Sequence, residues 1–311
     1  MAAITYTETG TLNRTSYSDL LDKTFDEVKA TNDRVPIQGA QFFAERNAST
    51  MEYKHTQVGT ILDLPVKSED EGPIPWVQPS PHYDTTFTLV NYRSGIKITR
   101  TLVETDQYGK IGDMMAGLFK SFQRKKEYQF ANVFNNAFST TGADGAALFA
   151  VSHSHPDGTA GTWDNLNTAA DITPDSYSAM RLNMRARTDE KGFPNPLKLN
   201  QLVVVADKER RAKEVMGSSQ TADTSLNNMF AFHGESNIVV WDWLTSTTAW
   251  FGCDTSASEN EKGLFEINRV APEISSADKE VGTDIVMAKR LRFSNAVGAT
   301  IMYAWDGCEG A

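Results

Sequence analysis

The sequence is poor in the features that most often disclose a chemistry. Among 311 residues there are two cysteines, Cys253 and Cys308. Two are too few for a disulfide framework and fit free thiols in a reducing compartment. The longest unbroken apolar run is the six residues Ala146–Val151, where a membrane helix needs about 20. The N-terminal residues carry no basic region followed by an apolar core, which excludes a secretory signal. Positive charge is in deficit: 30 Lys and Arg stand against 40 Asp and Glu, a formal charge of −10. Such a chain repels phosphate on average, so any nucleic-acid contact must be local. Phosphate loops, dinucleotide-binding glycine fingerprints and serine nucleophile elbows are absent as motifs. So are internal repeats. Ordinary globular proportions remain, 40% hydrophobic and 23% charged, enough for about two domains or one elaborated one.

What is present is an uneven order of elements. Residues 1–15 are polar and Thr-rich and read as an extended arm. Ser16 or Ser18 can cap a short helix that places Leu20, Leu21, Phe25 and Val28 on one face. Met51–Val58 is strand-like. Five of the 11 prolines (Pro65, Pro73, Pro75, Pro79 and Pro81) then fall within one short stretch around Trp76. Proline removes backbone donors, so this stretch cannot be a central strand. An indole in its midst argues for cover by something else. Tyr83–Tyr92 alternates, Arg93-Ser94-Gly95 reads as a turn, and Ile96, Ile98 and Leu102 alternate again. Residues 51–103 therefore read as a long β-hairpin with a proline-rich tip.

Asp113 is positioned to cap a helix over 113–138, with Met115, Leu118, Phe119 and Phe122 in one stripe and Phe130, Val133, Phe134 and Phe138 resuming it. Its 26 residues would span about 39 Å. Lys120, Arg124, Lys125 and Lys126 fill the gap in the stripe. They read either as a solvated face or as a contact for phosphate or an acidic neighbour. Thr173-Pro174-Asp175 opens a second helix, with Tyr177, Met180 and Met184 at core spacing. Leu202–Ala206 is an apolar strand, Asp207–Met216 a helix and Ile238–Trp241 a strand. Ile285–Phe293 and Ala299–Trp305 read as two strands joined near Gly298. The class is α+β.

The sharpest local motif is His153-Ser154-His155-Pro156. On a strand the two imidazoles would share a face and could grip one metal. The deubiquitinase-type metalloproteases open their zinc site with these letters, but the positions of their further Ser and Asp hold Trp163 and Leu166 here. A metal-dependent hydrolase using His153 and His155 stands as an alternative beside a polar loop whose histidines bond to backbone. The rest is architectural: an arm, a projecting hairpin, one very long helix and a compact body. Projecting elements cannot bury their own apolar groups, which suggests a lattice-forming protein.

This order of elements resembles the major capsid proteins of tailed bacteriophages, with the fold first described for phage Hong Kong ninety-seven, and most of all the Mu-type major head subunit. The resemblance is carried by Asp144-Gly145-Ala146-Ala147-Leu148-Phe149, then His155 and Asn165. Further along the chain it is carried by the helix Tyr177–Arg187 with its loop Asp189–Gly192, by Leu202–Val205 with the helix after it, and by the closing run Asp284–Phe293. The resemblance implies an N-terminal arm over 1–50 and an extended loop over 51–103. It implies a peripheral domain over 104–145 and 273–311 that contains a spine helix at 113–138, and an axial domain over 146–272. It implies a structural protein, not an enzyme, with no cofactor, metal or membrane. Its partners would be itself, as hexamers and pentamers of an icosahedral virion shell around double-stranded DNA, assembled in the host cytoplasm. A separate scaffolding protein, a portal and a decoration protein would complete the set. An encapsulin-like cargo shell is the same fold in another role. Trp76, Tyr83, Lys67, Lys120, Arg124 and Lys125 are the subunit-contact candidates.

Overall fold

In the computed structural model the described residues are 37–59, 76, 79, 81–99, 101, 110–156, 161–217, 231–277 and 285–310. The helix expected over 16–28, Lys67 and most of the proline-rich stretch lie outside them. The strands are β1 (Ala44–Asn47), β2 (Glu52–Val58), β3 (Pro81–Thr88), β4 (Val90–Thr99), β5 (His153–Ser154), β6 (Thr162–Trp163), β7 (Leu166–Asn167), β8 (Gln201–Val204), β9 (Asn237–Val240), β10 (Trp250–Cys253), β11 (Leu264–Ala277), β12 (Ile285–Ala299) and β13 (Trp305–Cys308). The helices are α1 (Lys110–Asn135), α2 (Pro174–Ala186), α3 (Glu209–Gly217) and α4 (Glu259–Lys262). The chain divides into two compact units. The first comprises Met1–Ile37, Asn91–Lys126 and Val270–Ser294; the second comprises Gln38–Val90, Glu127–Arg269 and Asn295–Ala311.

The second unit is built on a five-stranded sheet in the order β7-β13-β10-β8-β9. Strand β10 lies antiparallel to β13 and β8, and β9 runs parallel to β8. Strands β8, β10 and β13 are buried at every position, as a sheet covered on both faces must be. Helix α2 covers one face. Its start is well specified: the Thr173 side chain accepts from Ser176 N–H, Ser176 caps back, and Pro174 takes a first-turn position where its missing N–H costs nothing. Tyr177, Met180 and Met184 then reach the sheet with Leu202, Val204 and Trp250.

Successive strand residues point to opposite faces, so Phe251 leaves the α2 side and meets an aromatic cluster from the end of α1. Phe134 lies 5.2 Å from Phe251, 5.4 Å from Trp241 and 5.0 Å from Trp305, centroid to centroid. A β-carbon on Gly307 would sit 2.7 Å from the Phe149 ring, so only glycine lets the ring lie on the strand.

In the first unit, Met115, Leu118 and Phe119 of α1 are buried, as are Ile98 of β4 and Leu291 and Phe293 of β12. Tyr92 stacks on Phe293 at 4.9 Å, and Phe122 meets the same ring edge-on at 4.8 Å.

Several sequence expectations shift. Arg93-Ser94-Gly95 is no turn: β4 runs through it. Tyr92, Ile96 and Ile98 share one parity, so the alternation never breaks. The hairpin partner of β2 is β3 alone, and β4 lies instead beside β12 in a sheet ordered β1-β11-β12-β4. Gly298 is not a junction either. Strand β12 continues through it, and a β-carbon there would come within 2.9 Å of Phe87. Helix α1 begins before Asp113 and ends at Asn135, yet Phe138 beyond it still stacks at 5.9 Å on Phe251. Strands β10 and β11 were not anticipated.

Candidate functional site

The hairpin is a polar ribbon with a specific foot. Strand β2 pairs antiparallel with β3, Glu52 opposite Thr88 and Thr56 opposite Asp84, with an irregularity between Thr56 and Val58. Lys54 reaches across to Asp84 at 2.6 Å, and its hydrogen bond holds that carboxyl below the usual carboxylate range. Two paired strands alone are marginally stable in water, so the foot matters. Phe87 and Leu89 pack on Phe265 and Ile267. Gln57 Nε2 donates to Thr300 Oγ1 at 3.3 Å. His82 Nε2 lies 3.0 Å from a Glu190 carboxylate that is 4% exposed. Tyr83 donates its hydroxyl to Ser154 O at 3.1 Å. A β-carbon on Gly59 would land on the Glu190 carboxylate, so any larger residue there would have to displace that side chain from His82. A cavity of about 150 Å³ lies here, lined among others by His82, His155, Trp163, Glu190, Glu261 and Tyr303.

His82→Ala deprives the buried Glu190 of this partner, at a cost of about 1–3 kcal/mol. Amides of β3 are expected to exchange hydrogen about tenfold faster in the variant. Unchanged exchange would show that the apolar contacts hold the foot alone.

Behind the foot lies a buried polar knot. His153 Nδ1 is 2.6 Å from Asp144 Oδ2, and its Nε2 is 2.9 Å from Asn165 Oδ1. Asn165 Nδ2 donates to Leu148 O at 2.8 Å, so its Oδ1 also accepts Ala150 N–H, at 2.9 Å. Both ring nitrogens of His153 are thus engaged, one by Asp144 and one by Asn165. Burial pushes the Asp144 carboxyl up, but the hydrogen bond and charge of His153 outweigh it and hold it below its ordinary value. The stability Asp144 contributes is therefore present above its unfolded value and lost as pH falls through the lower folded one.

This corrects one expectation: His153 bonds to the side chains of Asp144 and Asn165, not to backbone. With both nitrogens engaged by side chains, His153 is not free to turn toward a metal. Among the described residues no group of three His, Cys, Asp or Glu side chains could hold one.

A second buried pair was invisible in the sequence. The Arg187 guanidinium contacts Asp306 and Tyr303 O and donates to Asp164 O at 3.1 Å and Trp305 O at 3.3 Å. It lies 5.3 Å from the Trp163 ring and 5.6 Å from the Tyr303 ring. Burial pushes the Asp306 carboxyl up to about 6 despite this cation. These two clusters tie loops to the sheet; they hold no nucleophile beside a base.

Of the subunit-contact candidates, Trp76 is 88% exposed. Tyr83 is half-buried, its hydroxyl spent on Ser154. Lys120 and Arg124 are exposed, whereas Lys125 is half-buried with its Nζ 4.9 Å from the Tyr92 ring centroid.

The family model described as phage capsid protein matches residues 83–308, well over half of the chain. No curated protein matches. Among solved structures the chain is similar to the capsid of the cyanophage P-SCSP1u, with TM-score 0.55, 7% identity, and 87% of this chain and 86% of that one covered. It is also similar to a structure from Microbacterium phage Oxtober96, with TM-score 0.52, 12% identity, and 87% and 90% covered. A third similar structure is the procapsid of bacteriophage JBD30, with TM-score 0.51, 14% identity, and 94% and 74% covered. At such identities the structures speak to the fold, which is the Hong Kong ninety-seven-like capsid fold. The sequence family and the fold agree, and the chain belongs to the phage capsid protein family as a major capsid shell protein.

Proposed function

We propose that the chain builds hexamers and pentamers of an icosahedral head around double-stranded DNA, assembled in the host cytoplasm with a separate scaffolding protein, a portal and a decoration protein. Residues 1–50 serve as the arm and 51–103 as the extended loop. Residues 104–145 with 273–311 form the peripheral domain and 146–272 the axial domain. Most of Asn91–Lys126 and of Val270–Ser294, two of the three segments of the first compact unit, falls within the peripheral ranges, whereas 127–145 and 295–311 belong to the second unit. Many modest contacts per subunit let such a shell assemble reversibly and still hold.

The observation that carries this reading is Trp76, 88% exposed on the stretch between β2 and β3. A large amphipathic ring gains most from cover, and in a shell a neighbouring copy supplies it. Buried aromatic anchors contribute upwards of about 2 kcal/mol to an interface. Trp76→Ala is expected to leave the chain folded and to reduce particle yield at least tenfold, counted by negative-stain imaging of the peak sized by light scattering. Normal yield would overturn the role of Trp76. Particles holding an enzyme cargo but no nuclease-protected DNA would overturn the packaging role.

A further inference from the structure

Charge is segregated along this chain. The segment Asn91–Lys126 carries eight Lys and Arg against three Asp and Glu, whereas the second unit carries 14 against 27. In the first unit the excess is concentrated on α1. Lys120 and Arg124 stand one helical turn apart, both exposed, and neither has an ion pair or hydrogen bond among the described residues. Like charges at that spacing cost a helix a few tenths of a kcal/mol, and nothing on the helix offsets it. Asp113 lies nearly two turns earlier. The next carboxylate along the helix, Glu127, is buried and accepts Gly39 N–H at 3.2 Å and Trp241 Nε1–H at 3.3 Å. The neighbouring cations are engaged: Lys125 Nζ lies 4.9 Å from the Tyr92 ring centroid and Lys126 Nζ 5.9 Å from that of Phe122.

We infer that Lys120 and Arg124 form an electrostatic docking face for the acidic second unit of another copy of this chain. The inference rests on the self-assembly reading above and names the surface and its chemistry. A second copy fits better than nucleic acid on two grounds. The rings beside the basic face, Tyr92, Phe122 and Phe293, pack on one another and are thereby engaged within the chain rather than set out for stacking on bases. In a self-assembling protein the complementary surface is always present at the protein's own concentration.

The test is sedimentation of the full chain at NaCl concentrations from about 0.1 M to about 1 M, over which the screening length falls from about 10 Å to about 3 Å. Wild type is expected to lose association about tenfold across that range. Lys120→Glu/Arg124→Glu is expected to associate at least tenfold more weakly at the low end and to respond little to salt. Lys120→Gln/Arg124→Gln should fall between them, and unchanged thermal unfolding of both variants would exclude misfolding as the cause. Wild-type shells whose formation ignores both the salt and the double variant would overturn the docking face and leave the shell reading intact. Salt-dependent association that never builds shells would do the reverse. A chain that is monomeric throughout would overturn the docking face and leave the scaffold-assisted shell reading standing. Retardation of a DNA duplex by wild type but not by the double variant, with equal self-association of the two, would assign the face to phosphate and overturn the proposal.

Discussion

Asn165→Leu is expected to be the most damaging single substitution in the second unit, lowering its unfolding free energy by about 3–6 kcal/mol. Leucine shares the branching of asparagine but is larger, so at this buried position overpacking adds to the polar loss. Three groups lose their partner at once: Ala150 N–H, Leu148 C=O and His153 Nε2. Each buried group left unsatisfied costs about 1–3 kcal/mol. The site has no easy access to replacement water, since Asn165 is 0% exposed and His153 2%. Because whole domains are stable by only about 5–15 kcal/mol, such a loss removes much of the margin. Urea unfolding at neutral pH measures it directly. Asn165→Asp is the informative companion, since it keeps the acceptor facing Ala150 and His153 but turns an oxygen toward Leu148 O. It should fall between wild type and Asn165→Leu. A loss below about 1 kcal/mol for the leucine variant would show that the knot is dispensable.

The second large effect concerns Arg187. Arg187→Met removes the cation from a fully buried Asp306 and strips three backbone carbonyls of their donor. Breaking a buried pair from one side costs about 3–5 kcal/mol, whereas replacing both members together is often close to neutral. Arg187→Met/Asp306→Asn should therefore recover part of the loss, and failure to recover any would place the whole effect on the carbonyls.

The pH dependence separates these cases. Burial raises the Asp306 carboxyl to about 6 even with Arg187 in place, so the folded state takes up a proton the unfolded state has released. The contribution to stability is then largest below the unfolded value of 3.8 and declines as pH rises through about 6. Arg187→Met raises the carboxyl further, so the variant should lose more stability than wild type between about pH 6 and 8. Adding Asp306→Asn should flatten that slope. Parallel pH profiles in all three proteins would contradict this account.

Elements whose specification is local could be found in the sequence. Helix α2 was marked by Thr173, Pro174 and the spacing of Tyr177, Met180 and Met184, all within three turns. The pairing of β2 with β3 followed from two alternating runs around a proline-rich gap. The long helix was legible from its apolar stripe, although its ends moved because Phe138 is held by Phe149 and Phe251 and not by helical bonding. The basic face at Lys120 and Arg124 was visible as a break in that stripe.

The locally coded pieces could thus be read from the chain alone: hairpin, long helix and capped helix, with enough order to place the chain in a family. Which of them meet was settled by the folded core. Arg187 and Asp306 lie 119 residues apart, and no periodicity joins them. His153 was chosen because the loop from Asp144 and the Asn165 side chain converge on one ring. Strand β4 left the hairpin because Tyr92 finds Phe293, a partner that only the long return of the chain brings near. Local rules act over a turn or a strand pair, whereas buried polar pairs and strand neighbours are selected by closure of the whole core, where every donor must find its acceptor at once.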